Sequence, residues 1–206
     1  CFEDEKINHV ESEVDPIRDV ETIETELLLS DIQTLEKQET KIKKTAKIND
    51  FNEKLVLSML EQLINHCSKG MKAISFETDE ELIHYKQSLH LLTDKPVLYV
   101  ANTNEDTIIN KTKNEHLLSL KNCLLPRDRL IHLCFSLEEE IAQLSDEEKS
   151  FFLLEYNLSK PGLNKVIQSS FDLLGLQTFF TCGEKEVRSW TIKKNILAPQ
   201  AAGVIH

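Results

Sequence analysis

The first strong pattern along the chain is a 4,3 spacing of apolar positions. Asp15-Pro16 offers an N-cap followed by a proline suited to the first helical position. From there Leu28, Ile32, Leu35, Ile42 and Ala46 keep the spacing, with Glu39 filling one seam position. The pattern predicts one helix of about 30 residues, roughly 45 Å long at 1.5 Å per residue. Asn49-Asp50 breaks it, and Val56, Leu60, Leu63 and Cys67 repeat the spacing over a second, shorter helix that Gly70 closes. Two consecutive helices with one apolar stripe each can bury both stripes by folding back, so an antiparallel coiled-coil arm is expected.

Beyond Gly70 the period changes. Thr78-Asp79-Glu80-Glu81 opens a short amphipathic helix through Tyr85 and Leu89. After Pro96 the run Val97-Leu98-Tyr99-Val100-Ala101 is apolar without alternation, as in a parallel strand covered on both faces. A helix from about Asn114 to Leu124 follows, then a second apolar strand, Leu130 to Cys134, and after Phe135-Ser136 an acidic helix from Leu137 to Leu144. The order βαβα makes the two strands parallel neighbours and the fold class α/β. Ser145-Asp146-Glu147-Glu148 has the form of a capping box for a helix to about Glu155. Pro161-Gly162 starts another, with Leu163, Val166, Ile167, Ser170 and Leu174 on one face, and Gly175 ends it. From Leu176 the runs Gln177 to Thr181 and Val187 to Ile192 read as a β-hairpin.

Composition narrows the function classes. With 206 residues and 40% apolar content the chain can bury at least one core. Five Gly and five Pro argue against a loop-rich or sandwich fold. The net charge of −11 argues against nonspecific nucleic-acid binding by the molecule as a whole, so any RNA contact must be local. Lys37, Lys41, Lys43, Lys44 and Lys47 crowd near the arm tip, where they form either a solvated face or a contact for phosphate or an acidic partner. The five cysteines, Cys1, Cys67, Cys123, Cys134 and Cys182, show no C-x-x-C spacing and no histidine in zinc-ligand register. They read as reduced thiols of a cytoplasmic protein. No stretch approaches a membrane span, and no membrane partner is expected.

Ligands of open parallel α/β sheets bind at the carboxyl ends of the strands. There the chain places Asn102-Thr103-Asn104-Glu105-Asp106 after the first strand and Phe135-Ser136 after the second. An amide beside a carboxylate can read a purine edge, the amide as donor and acceptor and the carboxylate as acceptor of base N–H protons. The same residues can equally end a strand and cap the next helix.

Four segments carry a resemblance that spacing alone does not supply: "CFEDEKINHV", "VDPIRDVETIETELLLSDIQTLEK", "LLTDKPVLYVANTNED" and "GEKEVRSWTIKKNILAPQAAGVIH". In order and across nearly the whole chain they resemble the YchF / Obg-like ATPases, a family of P-loop NTPases. The resemblance implies a GTPase-type domain ending its N-terminal part in residues 1–15, interrupted by a coiled-coil insertion over 16–70, and resumed over 71–175. Residues 176–206 would begin a β-rich TGS domain. Asn102-Thr103-Asn104-Glu105 resembles the family's altered Asn-x-x-Glu, where guanine readers carry Asn-Lys-x-Asp. With the Lys replaced by Thr103 and the acid lengthened to Glu105, the guanine fork weakens, and ATP is implied as ligand at least as well as GTP. The second base-side loop falls on Cys134-Phe135-Ser136, whose backbone N–H groups would approach the ring.

His9 matches the family's histidine after the switch II region, implied to position the attacking water. Read alone, it is a surface or packing residue. No G-x-x-x-x-G-K-[ST] occurs, so by resemblance the phosphate loop and the Mg²⁺ ligands are expected upstream of Cys1. The chain as given is then expected to keep the base-reading half of a pocket and to hydrolyse nothing. The resemblance implies ATP or GTP hydrolysis and ribosome association in the full-length protein. The competing reading is a non-catalytic arm on an α/β platform that binds ribosome or RNA.

Overall fold

The computed structural model describes residues 1–2, 13–45 and 51–205. It divides into two compact units, Asp15–Pro96 and Cys1–Val14 with Val97–His206.

The first unit is helical. Helix α1 spans Pro16–Thr45 and α2 spans Phe51–Ser68. The carboxylate of Asp15 accepts from the amides of Ile17 and Arg18, both at 3.1 Å, and so holds two amides at the helix start. Lys43 reaches Glu61 at 3.3 Å while Glu24 reaches Lys72 at 2.6 Å, a crossed order that makes the helices antiparallel. Leu35, Leu60 and Leu63 are fully buried in one cluster that also takes in Leu28, Met59 and Cys67. Gly70 leaves α2 with φ +80°, a left-handed conformation that glycine adopts without strain.

Residues 71–96 pack into the same unit through Ala73 and Leu91. They contain α3, Glu80–Ser88, between two 3-10 turns at Ala73–Ser75 and Leu92–Asp94. The link is polar as well as apolar. Asp31, buried in the middle of α1, accepts from the amides of Leu92 and Thr93 at 2.7 and 2.8 Å and from the Thr93 hydroxyl at 2.7 Å. Thr93 Oγ1 in turn accepts from the Ala73 amide at 3.0 Å. Lys86, also buried, pairs with Asp94 at 2.8 Å and donates to the Phe76 carbonyl. The apolar seam gives no hint of Asp31, which lies beside it.

The second unit is mixed α/β. Strand β1, Leu98–Asn102, runs parallel to β2, Arg129–Leu133, with Leu98 opposite Arg129 and Asn102 opposite Leu133. Between them lie α4, Glu105–Ile109, and α5, Glu115–Cys123. After β2 come α6, Phe135–Gln143; α7, Asp146–Glu155; and α8, Gly162–Leu173. The capping box is formed: Glu148 accepts from the Ser145 amide at 2.9 Å, and the Glu148 amide donates to the Ser145 hydroxyl at 3.4 Å.

Strands β3, Leu176–Cys182, and β4, Val187–Lys193, form the antiparallel pair, and α9, Ala198–Ala202, follows. Trp190 donates to the Thr181 hydroxyl across this pair, and Arg188 stacks 4.3 Å from the indole centroid.

Gly162 sets how closely α8 approaches β2. A Cβ there would lie 2.4 Å from both Glu138 Oε1 and Leu133 Cδ2. The vacant space lets the Glu138 carboxylate of α6 accept the first two amides of α8, from Gly162 at 2.7 Å and from Leu163 at 3.2 Å.

Two expected boundaries shift. Helix α6 begins at Phe135 rather than Leu137, and a short helix, α4, starts directly after β1. Both changes bring helix starts to the strand ends.

Candidate functional site

Both strands of the parallel pair run straight into helices, so their carboxyl ends are tight turns. At the end of β1, Thr103 has no exposed surface; its amide and hydroxyl both donate to the Leu133 carbonyl, at 2.8 and 3.2 Å. This double tie fixes the end of β1 against the end of β2. Asn104 is the N-cap of α4, its Oδ1 accepting from the Thr107 amide at 3.1 Å and hydroxyl at 2.6 Å. Its side-chain oxygen is thus occupied by the helix start, and Glu105 and Asp106 form the exposed first turn.

Asn102 makes the connection that matters. Its Oδ1 accepts from the Phe135 amide at 3.1 Å, joining the turn after β1 to the turn after β2. That bond assigns the amide's orientation: the carbonyl oxygen is engaged and the NH₂ group has no partner among the described residues. The Asn102 carbonyl accepts from the amino nitrogen of Cys1 at 2.8 Å, on the side of β1 opposite β2, and Asn114 donates to the Cys1 carbonyl at 3.0 Å.

On the β2 side, Cys134 is buried and precedes the first turn of α6. Its Sγ lies 3.1 Å from the Ser136 hydroxyl, which reaches towards Glu105 Oε1 at 3.5 Å, the outer limit of a hydrogen bond. Phe135 is 51% exposed. The sequence-named residues Asn102, Glu105, Cys134, Phe135 and Ser136 therefore meet at one end of the sheet, with Thr103 beneath them. His9 lies outside the described residues.

Chemically the cluster presents an amide NH₂, an exposed carboxylate, a hydroxyl and an aromatic ring around the start of α6. That set can read the polar edge of a flat heterocycle and cover its face. It holds no nucleophile–base pair. Among the described residues no three His, Cys, Asp or Glu side chains come together as a metal site. The capping alternative for this stretch is realised at Asn104, whereas sequence reasoning missed the Thr103 tie.

The family model YchF-GTPase_C, described as a protein of unknown function (DUF933), matches residues 176–206. The chain is 42% identical over 207 residues to the "Ribosome-binding ATPase YchF" of Bacillus subtilis (strain 168), covering all of this chain and 57% of that protein. It is 40% identical over 210 residues to the protein of the same name from Escherichia coli O157:H7, again along its whole length and over 56% of the relative. Among solved structures, the Schizosaccharomyces pombe YchF GTPase superposes with a TM-score of 0.84 at 35% identity, covering 100% of this chain and 56% of that one. The chain thus spans little more than half the length of the relatives it matches.

Proposed function

The chain belongs to the YchF family, and on that premise we propose that it supplies the base-reading half of a site for ATP or GTP. The observation that carries the reading is the Asn102–Phe135 bond at 3.1 Å, which locks the two strand-end turns together and leaves an amide NH₂ free beside Glu105. The NH₂ group donates to a ring nitrogen of the base. The Glu105 carboxylate accepts from an exocyclic amine, and the Phe135 ring offers an apolar surface. Thr103, wholly buried, acts by fixing the turn.

Adenine is the favoured base. The support is the altered pattern itself: Thr103 and Glu105 stand where guanine readers carry Lys and Asp. No residue of this chain is assigned to Mg²⁺, and the phosphate loop belongs to another part of the longer protein. That protein, by this reading, hydrolyses the β–γ bond of ATP in the cytoplasm and associates with the ribosome, with His9 positioning the attacking water. The antiparallel helical pair is its coiled-coil insertion, residues 71–175 complete the nucleotide domain, and 176–206 begin the TGS domain. At the arm tip Lys43 is engaged by Glu39 at 2.7 Å and by Glu61, so an RNA contact there would rest on the neighbouring lysines.

The test is a titration of fluorescent ATP and GTP analogues into the complete protein. ATP should bind more tightly than GTP. Asn102→Ala should weaken both about tenfold, the loss of one hydrogen bond to a polarised partner. Glu105→Asp should narrow the preference for ATP. Equal or tighter binding of GTP overturns the adenine reading, and undiminished binding by Asn102→Ala removes the site. His9→Ala should lower turnover while leaving nucleotide affinity nearly unchanged.

A further inference from the structure

A second concavity lies away from the strand ends. It has a volume of about 1070 Å³ and is walled by α4, the loop after it, α5, β2 and the start of α8. Leu117, Leu124, Leu130 and Leu158 give it an apolar lining. The charged lining is nearly all of one sign: Lys111, Lys113, Lys121, Arg129 and Lys165 line it. One carboxylate, Asp128, shares the wall, and it is already held by the Val97 amide at 3.0 Å.

The four lysines form no ion pair among the described residues. Elsewhere Lys43, Lys72, Lys86, Lys149 and Lys194 are each paired with a carboxylate. Five cations around one cavity in a chain of net charge −11 is a local inversion of sign. An anion seated there relieves the repulsion among them. Two of the wall residues, Lys111 and Asn157, hold φ +52°, a left-handed backbone that a lysine seldom adopts. His132 lines the same cavity, and crowding by the protein, with the Lys165 charge as a second cause, holds its imidazole below the usual 6.5.

We propose that this cavity is a binding site for a small phosphate ester, its phosphate held by Lys111, Lys165 and their neighbours and its organic part resting on the leucine lining. Concavity and composition favour a small ligand over an RNA strand. No Phe, Tyr or Trp lines the cavity to stack bases. A long polyanion would also run off the five cations onto a surface dominated by acids. A compact ester seats wholly within the cavity, its phosphate on the cations and its organic part on the leucines. The site is separate from the strand-end cluster, since none of Asn102, Glu105 or Ser136 lines it.

The experiment uses the protein with two probes, inorganic pyrophosphate and phenyl phosphate, followed by calorimetry and by the imidazole resonance of His132. Both probes should bind, phenyl phosphate gaining from its ring, and each should move the His132 titration to higher pH as the bound anion offsets Lys165. Lys165→Gln and Lys111→Gln should each lower affinity about tenfold, the loss of one charge-assisted bond, with circular dichroism unchanged. Glu105→Asp should leave the affinity for pyrophosphate as it was. An unmoved His132 titration at millimolar probe overturns the proposal. So does a uridine hexanucleotide that binds more tightly than either probe and loses its affinity in the same lysine variants, because the site would then serve RNA.

Discussion

The helical unit and the α/β unit satisfy their polar groups in opposite ways. In the helical unit the buried polar side chains close on one another: Asp31 takes three hydrogen bonds, Thr93 relays a fourth, and Lys86 has both a carboxylate and a carbonyl. The apolar core there is one cluster of eight buried residues. In the α/β unit a cluster behind α6 has three buried residues, Cys134, Leu137 and Ile141, while Phe151, Leu154 and Phe180 stand more than 70% exposed. Its polar ties join neighbouring turns and helix starts, as at Thr103–Leu133 and Glu138–Gly162, and the Asn102 NH₂ and the cavity lysines have no partner among the described residues. A closed network stabilises and has nothing left to offer a ligand; an open one is available for binding.

Thiol chemistry should break the comparison most visibly. Cys67 is buried in the helical core, where desolvation and then the Asp31 charge push its thiol up to about 11, whereas Cys123 and Cys182 are exposed. Alkylation followed by mass spectrometry at mildly alkaline pH should show Cys67 reacting slower by about a hundredfold or more, since the thiolate is the nucleophile. Equal rates would mean that the helical unit opens as readily as the surface. Next in size is Asp31→Ala, which strands the Leu92 and Thr93 donors in the core. It should destabilise the helical unit by about 3–5 kcal/mol in urea unfolding followed by helical circular dichroism. Asp31→Asn, which keeps one acceptor, should lose less.

In the α/β unit the corresponding lesion is steric. Gly162→Ala should cost about 1–3 kcal/mol, because the new methyl meets Glu138 and Leu133. Trp190, the single tryptophan and part of the hairpin, reports on this unit by fluorescence. The smallest effect concerns pH. His132 titrates below its unfolded value of 6.5, so the unfolded chain binds the proton more readily than the folded one. Its contribution is complete above pH 6.5 and declines as pH falls towards the folded value. Screening at a partly exposed ring keeps the change under about 1 kcal/mol. The acid arm of the stability profile should flatten in His132→Gln.

Much of this architecture was legible along the chain because it is encoded locally. The Asp15-Pro16 start, the Ser145-Glu148 capping box, the left-handed Gly70 and Gly175, and the hairpin all depend on residues a few positions apart. The two parallel strands were readable from apolar runs, and the strand-end polar residues from their position in a βαβα order. Where the reading fell short, the determinant was a residue whose partner is far away in sequence. Asp31 acts on Thr93, and Glu138 acts on Gly162. The lysines of the second cavity come from three separate segments, 111–113, 121 and 165, and no periodicity links them.

The sequence by itself determined the elements, their order, the candidate base-reading residues and the family likeness, since short-range sterics, capping and side-chain period act within a few residues. Only the tertiary structure decided which of those polar groups are already engaged. The Asn104 carbonyl oxygen and the Thr103 hydroxyl are taken up by the Thr107 and Leu133 groups, while Asn102 keeps its NH₂ and Lys165 its charge. The reason is physical: a hydrogen bond or ion pair depends on distances of about 3 Å between groups that the chain brings together only after it folds.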